Sequence, residues 1–336
     1  MANEKLKIVV THRSSGELVE QLSAFGSIWE PQHDQPLSRA ELSTAFRGCH
    51  AAITTVNDQV DEQVLEAAGP QLRIVANAAV GYDNLDVPAL TARNVIATNT
   101  PGVLVDATAD LTIALILDVT RRVSEGDRLV RSGATWSWGM NFMLGSALSG
   151  KQLGLVGMGL IGSAVATRAA AFGMTVVYTS RPTTPTSDSV PRVSFSELIQ
   201  TSDIVSLHCP LTPETRHLIN DEVLLLMRRD AYLINTARGP VVDEGALAQA
   251  LKDRHIAGAA LDVYEDEPRV HAELRSLENV VLAPHLGSAT REARDAMVAL
   301  AVSNVEAVLL GNPAITPIRS TSTPNSTYPM TASEGH

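Results

Sequence analysis

The stretch Leu153–Ser180, "LGLVGMGLIGSAVATRAAAFGMTVVYTS", decides the fold. An apolar run, "LGLVG", reaches a cluster of glycines, and a helical run, "SAVATRAAAFG", follows. A second apolar run, "TVVYTS", closes the segment within about thirty residues. This reads as strand, tight turn, helix and strand. Two strands joined by a helical crossover run parallel, and such units build a sheet with helices on both faces. Inside the turn, Gly157-Met158-Gly159-Leu160-Ile161-Gly162 matches GxGxxG. The pattern alone is weak, because glycines often only make turns. Between a strand and a helix each glycine has a task. Gly157 permits the tight turn, Gly159 lets backbone approach a pyrophosphate, and Gly162 lets helix pack on strand. The helix start, at Leu160 and Ile161, presents unpaired N–H groups and a positive dipole end to the phosphates.

The end of the second strand then selects the dinucleotide. An acid about twenty residues past the glycines would bind the ribose hydroxyls of NAD and repel a 2′-phosphate. This chain has Ser180 and Arg181 there instead. Arginine offers a planar fork of donors suited to phosphate. The residues therefore favour NADP (NADPH), with NAD as the alternative if Arg181 is merely a solvated surface charge.

Working outward, "DIVSLHCP", "AYLINTARG", "IAGAALDVY" and "VVLAPHLGS" are short apolar strands with helical patterns such as "INDEVLLLM" and "DEGALAQALKD" between them. They extend a doubly wound unit over residues 103–289. Before it, "VDATADLTIALILDVTRRVSEGDRLVRSG" reads as one long helical region. Residues 1–102 make another unit. "LKIVVTH", "AAITTV" and "LRIVANAAVG" are its strands, and "SGELVEQLSAFG", "DEQVLEAAG" and "LDVPALTARN" its helices. The helix "SATREARDAMVALAVSNVEAVLLGN", with Ser288 or Thr290 as N-cap, carries residues 290–317. Its return to the first unit would make two crossings and a hinged cleft. Residues 318–336, rich in Ser, Thr and Pro, read as a disordered tail. The fold class is α/β: two doubly wound parallel-sheet domains, a flavodoxin-like substrate domain and a Rossmann dinucleotide-binding domain.

Composition narrows the function. The chain has 336 residues, a net charge of -11, 45% hydrophobic residues and two cysteines. The acidic balance argues against a nucleic-acid binder, which would show a basic face. Cys49 and Cys209 have no paired spacing, and no carboxylate–histidine cluster has metal-ligand spacing, so neither a disulfide framework nor a metal is expected. The most apolar long segment, "LTIALILDV", falls well short of the ~20 residues of a membrane span. No secretion signal is apparent, and a cytoplasmic protein is expected.

Three strand ends carry candidate chemistry: Arg238 in "INTARGPVVDEGAL", Asp262 and Glu267 in "AGAALDVYEDEP", and His285 in "VVLAPHLGSAT". In open parallel sheets, ligands sit beyond the carboxyl ends of strands. Singly, each residue has a bland reading as an ion pair, a loop charge or one histidine among nine.

Together with "NAAVGYDNLDV", "TNTPGVLVDATADL", "LVGMGLIG" and "CPLTPETRHLIN", these stretches resemble the D-isomer-specific 2-hydroxyacid dehydrogenases, over about residues 5–315. Within that family the glyoxylate/hydroxypyruvate reductase branch is most similar. The resemblance implies a catalytic trio of Arg238, Glu267 and His285. It places Asp262 and Thr108 near the nicotinamide, and Val80 and Gly81 in the loop whose N–H groups hold the substrate carboxylate. Thr108 could equally be a helix-surface hydroxyl. Cys209 and Pro210 fall on the adenine side of the groove, and Thr215, Thr236, Ala237 and Gly287 belong to the same cofactor surface. Arg238 would bind the carboxylate of a small anionic 2-oxoacid and polarise its ketone. His285 would act as general acid, with Glu267 favouring its protonated form and fixing the ring nitrogen that faces the substrate. The region "SGATWSWGMNFMLG", with Trp136 and Trp138, implies an arm packed on a second subunit, hence a homodimer. A dinucleotide-sensing interaction protein of the corepressor type, or a reductase of a longer sugar acid such as 2-ketogluconate, are the alternatives.

Overall fold

The structure, a computed structural model, describes residues 6–13, 20–181 and 189–318. The chain divides into two units, Met1–Pro101 with Asp295–His336, and Gly102–Arg294.

The first unit holds one sheet of β1 (Leu6–Val10), β2 (Gly26–Trp29), β3 (Ala51–Thr54), β4 (Ile74–Asn77) and β5 (Ile96–Thr98). The order is β2-β1-β3-β4-β5 and every pair is parallel. The winding reverses at β1, which is the flavodoxin-like order. Alternation along β1 divides the core. Val9 packs with Phe46 of α1 (Arg39–Phe46), Leu65 of α2 (Glu62–Ala68) and Leu90 of α3 (Val87–Ala92). Ile8 and Val10 pack on the opposite face with Val302 and Val305 of the C-terminal helix Arg291–Leu309. Each such fully buried side chain stabilises the fold by roughly 1.5–3 kcal/mol. Thr290 caps that last helix by accepting the Ala293 N–H at 3.1 Å.

Two elements of this unit escape the apolar pattern. Strand β2 is short and only partly buried. Helix α1 opens with a capping box, in which Ser38 and Glu41 exchange side-chain and backbone hydrogen bonds. The spacing Ser-x-x-Glu is legible in the sequence as a helix start. Residues 15–19 of the helix expected over residues 15–26 lie outside the described residues. Its described part is a 3-10 turn, Gln21–Ala24, running directly into β2. The tail is likewise outside the described residues after residue 318.

The second unit holds β6 (Gln152–Val156), β7 (Thr175–Thr179), β8 (Ile204–Leu207), β9 (Tyr232–Asn235), β10 (Gly258–Leu261) and β11 (Val280–Leu282). The order is β11-β10-β9-β8-β6-β7, again wholly parallel. The winding reverses at β6, so the carboxyl ends of β6 and β8 flank the switch point where such sheets take ligands. The long helix expected over residues 105–133 is instead two, α4 (Val105–Arg121) and α5 (Val123–Arg131). Arg122 between them is left-handed, with φ 57°. The Asp118 carboxylate accepts the Ser124 N–H at 2.7 Å and fixes the new axis. Burial explains the break: α4 buries a stripe from Thr108 to Thr120, whereas α5 buries no residue in this chain. Among the described residues no helix is long and apolar enough to cross a membrane.

Candidate active site

Helix α6 (Leu160–Ala171) follows β6 through the glycine turn. Gly157 has φ 107°, and a Cβ there would lie 2.6 Å from the His208 carbonyl oxygen. At Gly162 a Cβ would lie 2.3 Å from the Gly157 carbonyl oxygen. Both positions therefore exclude a side chain. Gly159 differs, because a Cβ there would meet nothing within 4 Å. The turn is thus tight below and open at its middle glycine. No side chain caps α6, and the Ser163 N–H is the first to find a carbonyl, that of Gly159. The N–H groups of Leu160, Ile161 and Gly162 have no acceptor among the described residues. That arrangement suits a phosphate at a helix N-terminus.

At the end of β7, the Ser180 hydroxyl oxygen is buried and has no hydrogen-bond partner among the described residues. Burial without a partner costs about 1–3 kcal/mol, so an added acceptor is rewarded there. The Arg192 guanidinium donates to the Ser180 carbonyl, and Arg181 is exposed beside it. Residues 182–188, which follow Arg181, lie outside the described residues. The residues present therefore fit a dinucleotide, with the Ser180 hydroxyl left for a partner at the end of β7.

The remaining cofactor candidates are placed as follows. Thr108 is not a helix-surface hydroxyl; it is 4% exposed and donates to the Gly287 carbonyl at 3.0 Å. The hydroxyls of Thr236 and Thr112 pair at 3.0 Å, and the Ala237 N–H donates to the Asn235 side chain. Burial pushes the Cys209 thiol up to about 11, which leaves no thiolate at neutral pH for nucleophilic work. Thr215 donates its hydroxyl to the Pro210 carbonyl and accepts the Thr212 N–H, both at 2.7 Å, so it holds its own turn.

Arg238, Glu267 and His285 leave β9, β10 and β11 at the same edge of the sheet. The Asn235 side chain donates to the Arg238 carbonyl at 2.9 Å and shapes that turn. Glu267 accepts the Tyr264 N–H at 3.0 Å through Oε1, and its Oε2 lies 2.7 Å from Nδ1 of His285. Burial alone would push the Glu267 carboxyl up. The hydrogen bond and charge of His285, the Tyr264 N–H and the Arg238 charge outweigh it and hold the carboxyl below its ordinary value. An ionised Glu267 accepts, so Nδ1 carries a proton and Nε2 is the ring nitrogen left for a substrate. About a third of the His285 side chain is exposed.

His285 itself has φ 55°, a left-handed backbone that a histidine adopts only when held. Asp262 holds it. The Asp262 carbonyl accepts the His285 N–H at 2.8 Å, and its carboxylate accepts those of Leu286 at 2.6 Å and Gly287 at 2.8 Å. Sequence reasoning placed Asp262 by the nicotinamide and missed this clamp, which depends on β10 and β11 being neighbours.

In the first unit, the backbone at Val80 and Gly81 is held by a comparable device. The side chain of Asn99 donates to the Val80 carbonyl at 2.8 Å, and that of Asn77 to the Gly81 carbonyl at 3.0 Å. In a trans peptide the C=O and N–H point oppositely, so the Gly81 N–H is turned away from Asn99. Neither the Val80 nor the Gly81 N–H has an acceptor among the described residues. The two asparagines were not singled out in the sequence, although each closes an apolar strand.

A family model described as D-isomer specific 2-hydroxyacid dehydrogenase, NAD binding domain, matches residues 113–287. A glyoxylate reductase of Thermococcus litoralis is 46% identical over 317 residues, covering 91% of this chain and 95% of that protein. The chain belongs to the D-isomer specific 2-hydroxyacid dehydrogenases. Among solved structures, this dehydrogenase is similar to the TT0316 protein from Thermus thermophilus, with TM-score 0.87 and 44% identity over 94% of this chain and all of that one. An NADPH-dependent glyoxylate/hydroxypyruvate reductase from Sinorhizobium meliloti, in complex with NADP and malonate, gives TM-score 0.81 and 30% identity. That match covers 96% of this chain and 100% of the other. The dehydrogenase is an NAD(P)-dependent oxidoreductase, and its matched domain contains the glycine turn, Arg238, Glu267 and His285.

The lowered Glu267 carboxyl makes a stability prediction with a definite sign. A depressed carboxyl stabilises the fold above its unfolded value, 4.5, and that contribution is lost as pH falls through the lower folded value. The Tm advantage of the wild type over Glu267→Gln is therefore expected at about pH 6 and shrinks towards about pH 3. Thermal unfolding of both proteins across that range checks it; a constant difference would contradict the assignment.

Proposed function

We propose that this dehydrogenase is an NADP-preferring reductase of glyoxylate, hydroxypyruvate or a similar small 2-oxoacid, acting in the cytoplasm as a homodimer. The observation that carries the reading is the Glu267–His285 pair at 2.7 Å, with the Arg238 charge acting on it, in the unit that bears the glycine turn. The glyoxylate reductases among the relatives and the NADP complex of the Sinorhizobium meliloti enzyme support the substrate class and the cofactor.

In this reading the dinucleotide, when bound, supplies a hydride to the carbonyl carbon. The chain's own residues do the rest. Arg238 binds the substrate carboxylate and draws charge toward the carbonyl oxygen. In the first unit, the Val80 and Gly81 N–H groups, which have no acceptor among the described residues, would suit a carboxylate. His285 delivers a proton from Nε2 to the oxygen as charge develops there. Glu267 accepts from Nδ1 and so turns Nε2 to the substrate. Asp262 and Thr108 act through the backbone at Leu286 and Gly287. Cys209, Pro210, Thr215, Thr236 and Ala237 complete the cofactor surface.

The homodimer rests on an apolar surface that a lone chain leaves wet. Trp136 is 52% exposed and Trp138, Met140 and Leu144 are 77%, 77% and 62% exposed. Trp136 stacks on Phe142 with centroids 5.9 Å apart, so the segment is shaped without a core beneath it. Contiguous exposed apolar surface of this kind marks an interface.

Three experiments test these statements. Absorbance at the NADPH band is expected to fall when glyoxylate or hydroxypyruvate is added, and His285→Ala should lower kcat by roughly 10²–10⁴-fold while NADPH still binds. No oxidation across a panel of 2-oxoacids would refute the reading. Replacing Ser180 by Asp and Arg181 by Ala is expected to move the ratio of kcat/KM for NADPH over NADH toward NADH; an unchanged ratio removes the case for a 2′-phosphate contact. Sedimentation should show two copies of the wild type and one of Trp138→Glu, whereas a monomeric wild type would end the dimer proposal.

A further inference from the structure

We propose that Glu244 is a positioning residue for the proton donor: its buried carboxylate clamps the loop that presents Glu267 to His285. Glu244 opens the helix Glu244–Lys252, just past the Arg238 turn, and is only 5% exposed. Oε1 accepts the Glu265 N–H at 2.7 Å and Oε2 accepts the His271 N–H at 3.2 Å. Those amides lie on either side of Glu267. One carboxylate therefore ties down both ends of the segment that carries the histidine's partner.

Two other contacts hold the loop's near end, the His217–Glu265 pair and the Tyr264 hydroxyl on the Leu261 and Ala283 carbonyls, whereas Glu244 holds an amide on each side of Glu267. The side chains of Asp266 and Arg269 pair with each other in solvent, at 64% and 79% exposure, and give the loop no buried anchor. The close approach of Gly239 supplies the contact that keeps Glu244 in reach, since a Cβ there would fall 1.8 Å from the Tyr264 carbonyl carbon. The Tyr264 N–H in turn donates to Glu267 Oε1. The chain of contacts runs from the helix after Arg238, through Glu244, to the loop, to Glu267 and to Nδ1 of His285. A carboxylate at a helix start is commonly explained by the helix dipole. Here both oxygens are directed at the loop's amides, so dipole compensation does not account for its burial.

This inference rests on the proposed reading in one respect: that His285 is the proton donor. Glu244→Gln is the informative substitution, because it keeps size and replaces one acceptor oxygen by an amide NH2, a donor, facing an N–H donor. Amide hydrogen exchange at Glu265 and His271 is expected to accelerate. With NADPH and glyoxylate, kcat should fall roughly 10- to 100-fold, as for a catalytic group misplaced by about 1 Å. The KM for NADPH should hold, and the pH limb of kcat should move in the same sense in Glu244→Gln and in Glu267→Gln. In a Glu267→Gln background, Glu244→Gln should cost less than about twofold, because the two act as one unit. Losses that multiply fully in the double variant, or an unmoved pH limb, would reduce Glu244 to a structural staple and overturn the proposal. Should Glu244→Gln fail to fold, Glu244→Asp, which keeps both acceptors but sets them back by a methylene, carries the same cycle. If the wild type oxidises no NADPH with any 2-oxoacid, the functional reading falls, while the exchange rates still decide whether Glu244 clamps the loop.

Discussion

Three adjacent strands run parallel and in register, with Asn235 opposite Leu261 and Leu261 opposite Leu282. That constraint sends the chain out of the sheet at one edge three times. Arg238, Glu267 and His285 are distant in sequence and become neighbours for this reason alone. An antiparallel sheet would have sent alternate connections to the opposite edge. The helices between the strands are the cost of parallel pairing, and their starts supply the unpaired N–H groups used at α6.

Electrostatics then assigns the roles. Glu267 is partly withdrawn from water, which by itself disfavours its charge. The partners on three sides, His285, the Tyr264 amide and Arg238, more than reverse this. A carboxylate kept ionised in a half-dry setting holds the imidazole in one orientation through the Nδ1 hydrogen bond. The backbone is arranged to the same end. His285 sits in a left-handed conformation that Asp262 stabilises with one carbonyl and two carboxylate oxygens. The first unit uses amides similarly, where Asn77 and Asn99 turn the carbonyls of Gly81 and Val80 inward. In both places a side chain orients a neighbouring segment of backbone rather than facing a ligand.

The glycine turn shows how far a motif and its setting agree. Gly157 and Gly162 are excluded from bearing side chains by specific carbonyl oxygens, and Gly159 by none. The tight positions serve packing, and the open one leaves room for a ligand. The buried hydroxyl of Ser180 at the end of β7 points to the same ligand from a second strand, since its burial has no internal hydrogen bond to offset it.

The sequence by itself determined the α/β class, the parallel strands and the glycine turn, because those follow from local periodicity and from residue types with few conformational options. It also singled out Arg238, Glu267 and His285, because polar residues just past apolar strands stand out against their surroundings. It could not show that the helix after residue 104 breaks at Arg122, since the break depends on which residues find a core to bury against. Nor could it show the Asp262 clamp, the asparagine pins or the Glu244 staple. Each is a hydrogen bond between segments that only strand order makes adjacent, and a carboxylate or amide has no sequence signature telling which distant N–H or carbonyl it will meet. Local pattern therefore marked the candidate residues at the strand ends, and tertiary adjacency alone decided what holds them.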